Sequence, residues 1–328
     1  MNTIYDLQTP ALLADVDILE ANLATMAAAL PGPRLRPHVK AHKCTALARR
    51  QAAHGHRRFT CATIREVEGM AAAGLGEDLL LANEVLDARR LGELEARLTL
   101  AVDSDATIAA AVAAGVREVV IDVNVGLPRC GCLPDDAGRL GDLARRRGLS
   151  VRGVMGYEGH VVGLDDRATR ERLCEEAMQL LLSAHRAVGG ELISAGGTGT
   201  YGCNVWANEI QAGSYVLMDT AYAKLGLPFR MGLSVLATAI SVSPAYAVAD
   251  AGLKALGMDH GNPTIDDAKV WFCSDEHITF APETPVKAGD RVRVWPAHID
   301  PTIAYHERLH LVSGEQVVDD WAVDLRGW

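Results

Sequence analysis

The chain has 328 residues, of which 49% are hydrophobic and 23% are charged, and its formal net charge is −10. This composition is typical of a globular protein with a full apolar core, and the acidic balance argues against a nucleic-acid partner. No run of about 18 residues is both apolar and uncharged, and the first residues lack the regions of a signal peptide, so we expect no membrane association. The seven cysteines are scattered and odd in number, which fits a reduced cytoplasmic protein better than a disulfide framework.

From the N-terminus onward, segments of strand character alternate with segments that carry apolar residues at helical spacing. After a short strand at 9–15, strands are predicted at 34–40, 57–62, 78–83, 97–102, 117–124, 151–158, 191–196 and 213–219. Helices are predicted at 16–30, 44–54, 64–74, 84–95, 104–114, 134–147 and 168–188. About eight repeats of strand and helix predict an α/β fold, a parallel sheet closed into a TIM-like (β/α)8 barrel over residues 16–228.

The pattern changes after Pro228, where apolar stretches are separated by glycine and proline turns and no helix of convincing length intervenes. Strand character is found in 232–250, 270–280, 290–296, 308–312 and 316–324. We therefore predict a second, mostly antiparallel β domain over 229–328, which the strand within residues 1–15 joins.

One basic segment, Arg36–Lys43, falls at the end of the first predicted barrel strand, where the catalytic groups of such barrels lie. In an extended segment His38, Lys40 and His42 share one face. Neighbouring cations and burial favour the neutral amine of a lysine, the form that attacks a carbonyl carbon. Lys40 is thus a candidate Schiff-base nucleophile, and a basic surface loop is the alternative interpretation.

A glycine-rich loop, Gly196–Tyr201, follows the seventh predicted barrel strand. Such a loop offers backbone N–H groups and hydroxyls to a phosphate, and barrels often bind phosphate after strands seven and eight. A tight turn without a ligand is the alternative. A nucleophilic lysine and a phosphate loop in one barrel together indicate pyridoxal 5′-phosphate, which has an aldehyde at one end and a phosphate at the other.

Five motifs make the chain resemble the fold-type III, alanine-racemase-like pyridoxal-phosphate enzymes. They are Arg36–Lys43, Gly196–Tyr201, Gly213–Asp219, Asp250–Leu256 and Pro296–Thr302. Within that class the chain is most similar to the group of D-threonine aldolase, D-serine dehydratase and 3-hydroxy-D-aspartate aldolase. The resemblance covers nearly the whole chain and implies a homodimer. It also implies that Lys40 forms the Schiff base, that Arg129 faces the cofactor ring, and that the phosphate is held by Gly197, Thr198 and Gly199 with Tyr215 close by.

The sequence His298-Ile-Asp300 offers an imidazole and a carboxylate two residues apart. On a strand both side chains point the same way, and a divalent ion such as Mn²⁺ or Mg²⁺ accepts this pair. A surface His-x-Asp beside a proline turn is the alternative. The resemblance implies the metal site, and it makes Zn²⁺ less favoured because the zinc-dependent D-serine dehydratases carry cysteine where this chain has Asp300.

The pattern His306-Glu-Arg-Leu-His310 matches the helical zinc motif of metalloproteases, but it lies in a predicted strand, where its two histidines would be about 13 Å apart. The resemblance instead implies a lyase that cleaves D-3-hydroxy amino acids to glycine and an aldehyde. His160, after the sixth strand, is the candidate base, and a metal-bound water is the alternative. A dehydratase acting on D-serine or 3-hydroxy-D-aspartate, an amino-acid racemase and a non-catalytic cofactor-binding protein remain as rival functions.

Overall fold

The computed structural model describes residues 2–328, in which there are sixteen strands and eight α-helices. The strands are β1 (Ala11–Asp15), β2 (Arg58–Cys61), β3 (Asp78–Leu81), β4 (Leu98–Val102), β5 (Glu118–Asp122), β6 (Ser150–Met155), β7 (Leu192–Ala195), β8 (Glu209–Ile210), β9 (Leu233–Val242), β10 (Ala247–Ala249), β11 (Thr264–Ile265), β12 (Ala268–Cys273), β13 (Ile278–Pro282), β14 (Arg291–Trp295), β15 (Arg308–Ser313) and β16 (Gln316–Ala322). The helices are α1 (Val16–Ala29), α2 (Thr45–Ala53), α3 (Ile64–Ala72), α4 (Asp105–Ala113), α5 (Ala137–Arg146), α6 (Arg167–Val188), α7 (Thr220–Ala223) and α8 (Ile299–Tyr305).

The chain divides into two compact units. The barrel unit contains residues 26–40, 47–213 and 325–328, and the β unit contains residues 2–25, 41–46 and 214–324. The domain boundaries expected from the sequence, 16–228 and 229–328 with 1–15, stay a prediction. None of the described helices is long and apolar enough to span a bilayer.

In the barrel unit, strands β2 to β8 form a parallel sheet in sequence order. Helices α3 to α6 pack on the strands that they connect. The strands β3, β4 and β5 are buried along almost their whole length, as expected for a parallel sheet covered by helices. Side chains from four successive strands, Leu80, Ala101, Val120 and Met155, form one apolar cluster.

Residues 35–38 close this sheet into a barrel. Leu35 pairs in parallel with Ile210 of β8, and His38 pairs in parallel with Thr60 of β2. Residues 35–38 are therefore the eighth segment of the barrel and lie between the last and the first strand of the sheet. The predicted (β/α)8 architecture is confirmed, with the first strand present as two isolated bridges.

The first barrel segment lacks a regular ladder because Pro37 has no N–H to donate. Its carbonyl still accepts from the N–H of Thr60 at 2.9 Å, and the N–H of Arg36 donates to the carbonyl of Ile210 at 2.9 Å. After this segment the chain turns into a short 3-10 helix, Val39–Ala41, at the carboxyl edge of the barrel.

Two predicted elements of the barrel were wrong. In place of a helix at 84–95 there is a 3-10 turn, Arg89–Leu91, because the carboxylate of Asp87 accepts from the backbone and guanidinium N–H groups of Arg89 and favours a local turn. In place of a strand at 213–219 there is a 3-10 turn, Ser214–Val216, and Met218 has a φ of 55°, which no extended strand allows.

A network of ion pairs fills the amino-terminal end of the barrel. The fully buried guanidinium of Arg36 lies 2.7 Å from a carboxylate oxygen of Glu209 and 3.1 Å from one of Asp78. Arg152 donates to Asp78 at 2.8 Å. Asp78 and Glu209 are the first residues of their strands, so this end of the barrel is closed by paired charges.

The β unit contains one sheet of nine strands, β1 and β9 to β16. Strands β9, β10, β13, β12, β11 and β14 pair in a closed ring, since β9 is hydrogen-bonded to both β10 and β14. Every pairing in the sheet is antiparallel except that of β1 with β15. The prediction of a mostly antiparallel β domain joined by the N-terminal strand is confirmed.

Several segments of the β unit are shorter than predicted. The run at 232–250 is the hairpin of β9 and β10, and the run at 270–280 spans parts of β12 and β13. A helix, α8, lies between β14 and β15, where none was expected. Proline is tolerated in the first turn of a helix, and Pro301 occupies such a position in α8.

Candidate active site

Lys40 lies in the 3-10 turn that follows the barrel segment 35–38. Its side chain is partly buried, and its Nζ atom is 6.0 Å from the centre of the Tyr157 ring. Tyr157 itself comes two residues after the end of β6. The amine of Lys40 is thus placed at the carboxyl edge of the barrel, where the sequence predicted it.

Tyr157 lies next to three of the residues expected at the cofactor. The guanidinium carbon of Arg129 is 5.3 Å from the centre of the ring, close enough for a cation–π contact. On another side, a Cβ atom added to Gly197 would be 3.6 Å from Cε2 of the same ring. The structure therefore brings Lys40, Arg129 and Gly197 around one aromatic side chain, which sequence reasoning did not single out.

The glycine-rich loop, Gly196–Tyr201, directly follows β7 and is buried except at its last residue. Gly199 packs so closely on the carbonyl oxygen of Val162 that no Cβ atom fits there. The N–H of Gly197 donates to the hydroxyl of Thr200 at 3.2 Å, so this N–H is used within the loop. Thr198, between the two glycines, is 2% exposed.

A recess beside Arg129 is lined by Asp122, Asn124, Cys130 and Tyr157. Burial, followed by the charge of Glu84, raises the pKa of Asp122 well above its ordinary value. The neutral form of this carboxyl therefore persists to higher pH than that of an exposed aspartic acid.

His160 is exposed at the carboxyl edge of the barrel, in the loop between β6 and α6. A Cβ atom added to Gly126, which has a φ of 126°, would be 2.7 Å from Cε1 and 2.9 Å from Nε2 of the imidazole. The ring of His160 thus packs against a backbone position that only glycine fits. Gly126 belongs to the loop that also carries Arg129.

In the β unit, Nε2 of His298 and Oδ1 of Asp300 are 3.8 Å apart. Two metal–ligand bonds of about 2.1 Å span at most about 4.2 Å, so one cation fits between these atoms. The side chains are 19% and 15% exposed, which leaves room for further ligands from solvent or substrate. This donor set of one imidazole and one carboxylate fits a divalent ion.

The pair is not arranged on a strand, as the sequence indicated. His298 is the N-cap of α8, and Asp300 is in its first turn, where a carboxylate also interacts favourably with the helix dipole. Asp219 holds this helix start in place, because its carboxylate accepts from the N–H of Ile299 at 3.1 Å. Burial raises the pKa of Asp219 to about 6, although its hydrogen bonds oppose the shift.

Asp259 and His260 lie beside His298 and Asp300 and were missed by the sequence analysis. Oδ2 of Asp259 is 2.7 Å from Nδ1 of His298, and the ring of His260 stacks on that of His298 at 3.9 Å. With Asp259 and His260, His298 could also form a three-residue ligand group. No local pattern marks these residues, since their partner is distant in sequence.

Tyr215 does not lie at an exposed edge. It is fully buried in the β unit, and its ring packs against Phe229 with 5.7 Å between ring centres. Its neighbour Ser214 donates from Oγ to Oδ1 of Asp300 at 3.3 Å. This turn therefore connects the predicted cofactor residue Tyr215 to Asp300 within the β unit.

Two family models match successive parts of the chain. Residues 14–221 match the family described as alanine racemase, N-terminal domain, and residues 232–312 match a serine dehydratase domain. The chain belongs to the alanine racemase N-terminal domain family. It is 33% identical to a D-threonine aldolase of Arthrobacter sp., over 98% of this chain and 93% of that protein.

It is also 32% identical to a D-threo-3-hydroxyaspartate dehydratase of Delftia sp. (strain HT23), over the full length of both chains. Among solved structures, that of D-threonine aldolase from Filomicrobium marinum matches with a TM-score of 0.93 at 33% identity, over 100% of this chain and 99% of that one. The fold is therefore shared over both units. Membership of this family supports pyridoxal 5′-phosphate as the cofactor, and the amine beside Tyr157 with the buried glycine-rich loop is a set of residues that fits it.

Proposed function

We propose that the protein is a pyridoxal-phosphate- and divalent-metal-dependent aldolase that cleaves D-3-hydroxy amino acids of the D-threonine type to glycine and an aldehyde. The observation that carries the proposal is the full-length similarity to a D-threonine aldolase, at 33% identity, in a chain that keeps an imidazole and a carboxylate in bonding range of one cation. The metal is Mn²⁺ or Mg²⁺, since Asp300 is a hard oxygen ligand.

The residues take the following roles in this proposal. Lys40 holds the aldehyde end of the cofactor, and Arg129 faces its ring. Its phosphate is held by Gly197, Thr198 and Gly199, with Tyr215 close by. When bound, the cofactor supplies a ring that accepts electrons, and the metal supplies a Lewis acid for the 3-hydroxyl group. His298 and Asp300 hold the metal, and an imidazole nitrogen of His160 takes the hydroxyl proton.

A dehydratase is the second candidate function, favoured by the similarity to the Delftia enzyme. The same residues would serve a reaction that expels the 3-hydroxyl as water and yields a keto acid and ammonia. The carboxylate of Asp300 favours the aldolase, because the D-serine dehydratases that this chain resembles carry a cysteine at that position and use zinc. We further propose a cytoplasmic homodimer.

The test is a product analysis of the purified protein loaded with pyridoxal 5′-phosphate. D-threonine is added with Mn²⁺ or with EDTA, and glycine, acetaldehyde, ammonia and keto acid are measured. We expect glycine and acetaldehyde in equal amounts, only with metal. Ammonia with a keto acid would replace the aldolase by the dehydratase, and glycine formation that EDTA does not affect would remove the metal from the proposal.

Two variants test the proposed roles of Lys40 and His298 separately. Lys40→Ala should lose both the absorbance of bound cofactor and turnover, whereas His298→Gln should lose metal binding and keep that absorbance. His277→Gln, which alters an exposed histidine of the β unit, is the matched control and should change neither. A Lys40→Ala protein with wild-type absorbance and turnover would contradict the role of this lysine.

A further inference from the structure

Glu158 is a fully buried carboxylate beside the glycine-rich loop, and the proposed reaction does not use it. It follows Tyr157 in the segment after β6. The donors that surround it include a hydroxyl, a side-chain amide, a backbone N–H and a thiol, all of them neutral groups. A buried carboxylate is tolerated where hydrogen bonds compensate for its loss of water, and these four donors provide that compensation.

The two oxygens of Glu158 reach the loop at separate points. Oε2 accepts from the N–H of Gly196, at the start of the loop, at 3.1 Å. Oε1 accepts from the hydroxyl of Thr200 at 2.8 Å and from the amide of Asn204, three residues past the loop, at 3.1 Å. One carboxylate thus contacts the first residue of the loop, a residue near its end and the chain that leaves it.

The hydroxyl of Thr200 extends this effect into the loop. Because its hydrogen is donated to Glu158, its oxygen is free to accept from the N–H of Gly197, and it does so at 3.2 Å. The N–H of Thr200 in turn donates to the carbonyl of Gly197 at 3.2 Å. The peptide groups on either side of Gly197 are therefore both bonded to Thr200, whose hydroxyl is held by Glu158.

We propose that Glu158 is the positioning residue of the glycine-rich loop and holds it in the conformation that receives the phosphate group of the cofactor. The carboxylate itself does not bind the phosphate, since two anions repel each other. It accepts hydrogen bonds from Gly196 and Thr200, and these bonds hold the loop in its conformation before the cofactor binds. This inference rests on the proposed function only in that the glycine-rich loop binds phosphate.

Glu158→Gln tests the proposal with almost no change in shape. An amide has one oxygen and one NH2 group, so one of the N–H donors that now meet the carboxylate would face another donor. An unpaired buried donor is costly, and we expect the affinity for pyridoxal 5′-phosphate to fall about tenfold or more. The affinity for pyridoxal, which lacks the phosphate, should stay as in the wild type.

The readout is therefore the dissociation constant for pyridoxal divided by that for pyridoxal 5′-phosphate, and this ratio should fall in Glu158→Gln. Both constants are measured from the change in absorbance when each aldehyde is titrated into apoprotein. Thr200→Val, which removes the hydroxyl that links Glu158 to Gly197, should lower this ratio in the same direction. If Glu158→Gln does not fold, the Thr200→Val result decides the proposal by itself.

Two controls separate positioning from general stability. Cys174, in α6, has its thiol sulfur 3.7 Å from the same carboxylate, and Cys174→Ala should leave the ratio unchanged. Glu209→Gln changes a buried glutamate that pairs with Arg36 and accepts from the hydroxyl of Ser194, outside the glycine-rich loop, and it should lower the melting temperature without altering the ratio.

Equal weakening of both ligands in Glu158→Gln, or a wild-type ratio in it and in Thr200→Val, would overturn the role of Glu158. A wild-type protein that binds pyridoxal as tightly as its phosphate ester would instead show that the glycine-rich loop does not bind phosphate. The failure of the inference and the failure of the proposed loop are thus distinguishable.

Discussion

The Nδ1 atom of His298 is 2.7 Å from the Oδ2 atom of Asp259, a residue 39 positions earlier in the chain. The Nε2 atom on the other side of the ring is 3.8 Å from Asp300. A hydrogen bond from Nδ1–H to a carboxylate fixes the tautomer of a histidine and leaves the lone pair of Nε2 available to a metal ion. Asp259 therefore orients the imidazole toward Asp300.

We predict that Asp259→Ala weakens metal binding by about 10–100-fold, the usual cost of removing the carboxylate partner of a metal-bound histidine. Asp259→Asn keeps an oxygen that accepts from Nδ1–H, so its loss should be smaller. Titration of Mn²⁺ followed by electron paramagnetic resonance measures both affinities. Wild-type affinity in Asp259→Ala would show that the orientation of His298 does not depend on this contact.

A variant of His260 distinguishes a metal held by His298 and Asp300 from a metal held by the alternative ligand group of Asp259, His260 and His298. If His260 only stacks on His298, His260→Gln should alter the Mn²⁺ affinity by less than about threefold, as expected for the loss of a ring contact. A loss as large as that of His298→Gln would make His260 a ligand.

Asp300 determines the metal preference in our proposal. Asp300→Cys replaces a hard carboxylate by a soft thiolate, so we expect the preference between Zn²⁺ and Mn²⁺ to shift toward Zn²⁺ by about tenfold or more. Competition between the two ions, with the bound metal measured by mass spectrometry, gives this ratio. An unchanged ratio would indicate that position 300 does not contact the metal.

Gly126 controls the position of the imidazole of His160. Gly126→Ala would place a Cβ atom 2.9 Å from Nε2 of the ring and would strain a backbone with a φ of 126°. Because proton transfer requires accurate placement, we expect kcat to fall by about tenfold or more while the affinity for Mn²⁺ stays unchanged.

Gly163→Ala is the matched control, since this glycine lies in the loop of His160 and an added Cβ atom would meet nothing within 4 Å. Its kcat should equal that of the wild type. If Gly126→Ala were equally active, His160 would not need its present position, and a metal-bound water would become the preferred base.

The ion pairs at the amino-terminal end of the barrel predict how stability depends on pH. Burial alone would raise the pKa of Asp78, but the hydrogen bonds and charges of Arg152 and Arg36 outweigh it and hold the pKa at about 2, below its ordinary 3.8. A lowered pKa in the folded state stabilises the fold above about pH 4, and this contribution of about 2 kcal/mol is lost as the pH falls toward 2.

Urea unfolding of the wild type and of Asp78→Asn, at several values between pH 5 and pH 2, measures this contribution. The variant should be less stable at pH 5, because two buried guanidinium groups lose a charged partner, and the difference from the wild type should narrow as the pH falls. A difference that does not vary with pH would contradict the assigned pKa.

Most strands and helices of the barrel unit follow from local patterns. Seven predicted barrel strands overlap observed strands or the barrel segment 35–38, because buried parallel strands are continuous apolar runs between glycine and polar turns. The errors arose where a local contact competed with the pattern. The turn held by Asp87 replaced a helix, and the left-handed Met218 ended a predicted strand.

The prediction for His298 and Asp300 shows the same limit of local sequence patterns. The sequence supplied His298 and Asp300 as a pair but placed them on a strand, whereas Asp219 accepts from the helix start and the chain is helical there. The two side chains still converge, because His298 is the N-cap residue with an extended backbone rather than a helical one, and its Nε2 lies 3.8 Å from Oδ1 of Asp300.

By itself, the sequence determined the alternation of strand and helix, the place of Lys40 after the first barrel segment and the glycine-rich loop after β7, because each depends on residues that are near one another in the chain. Only the tertiary structure decided that Asp259 orients His298 and that Glu158 supports the loop. Each of these contacts joins residues more than twenty positions apart, and no local propensity or period encodes which distant partner a buried polar group will find.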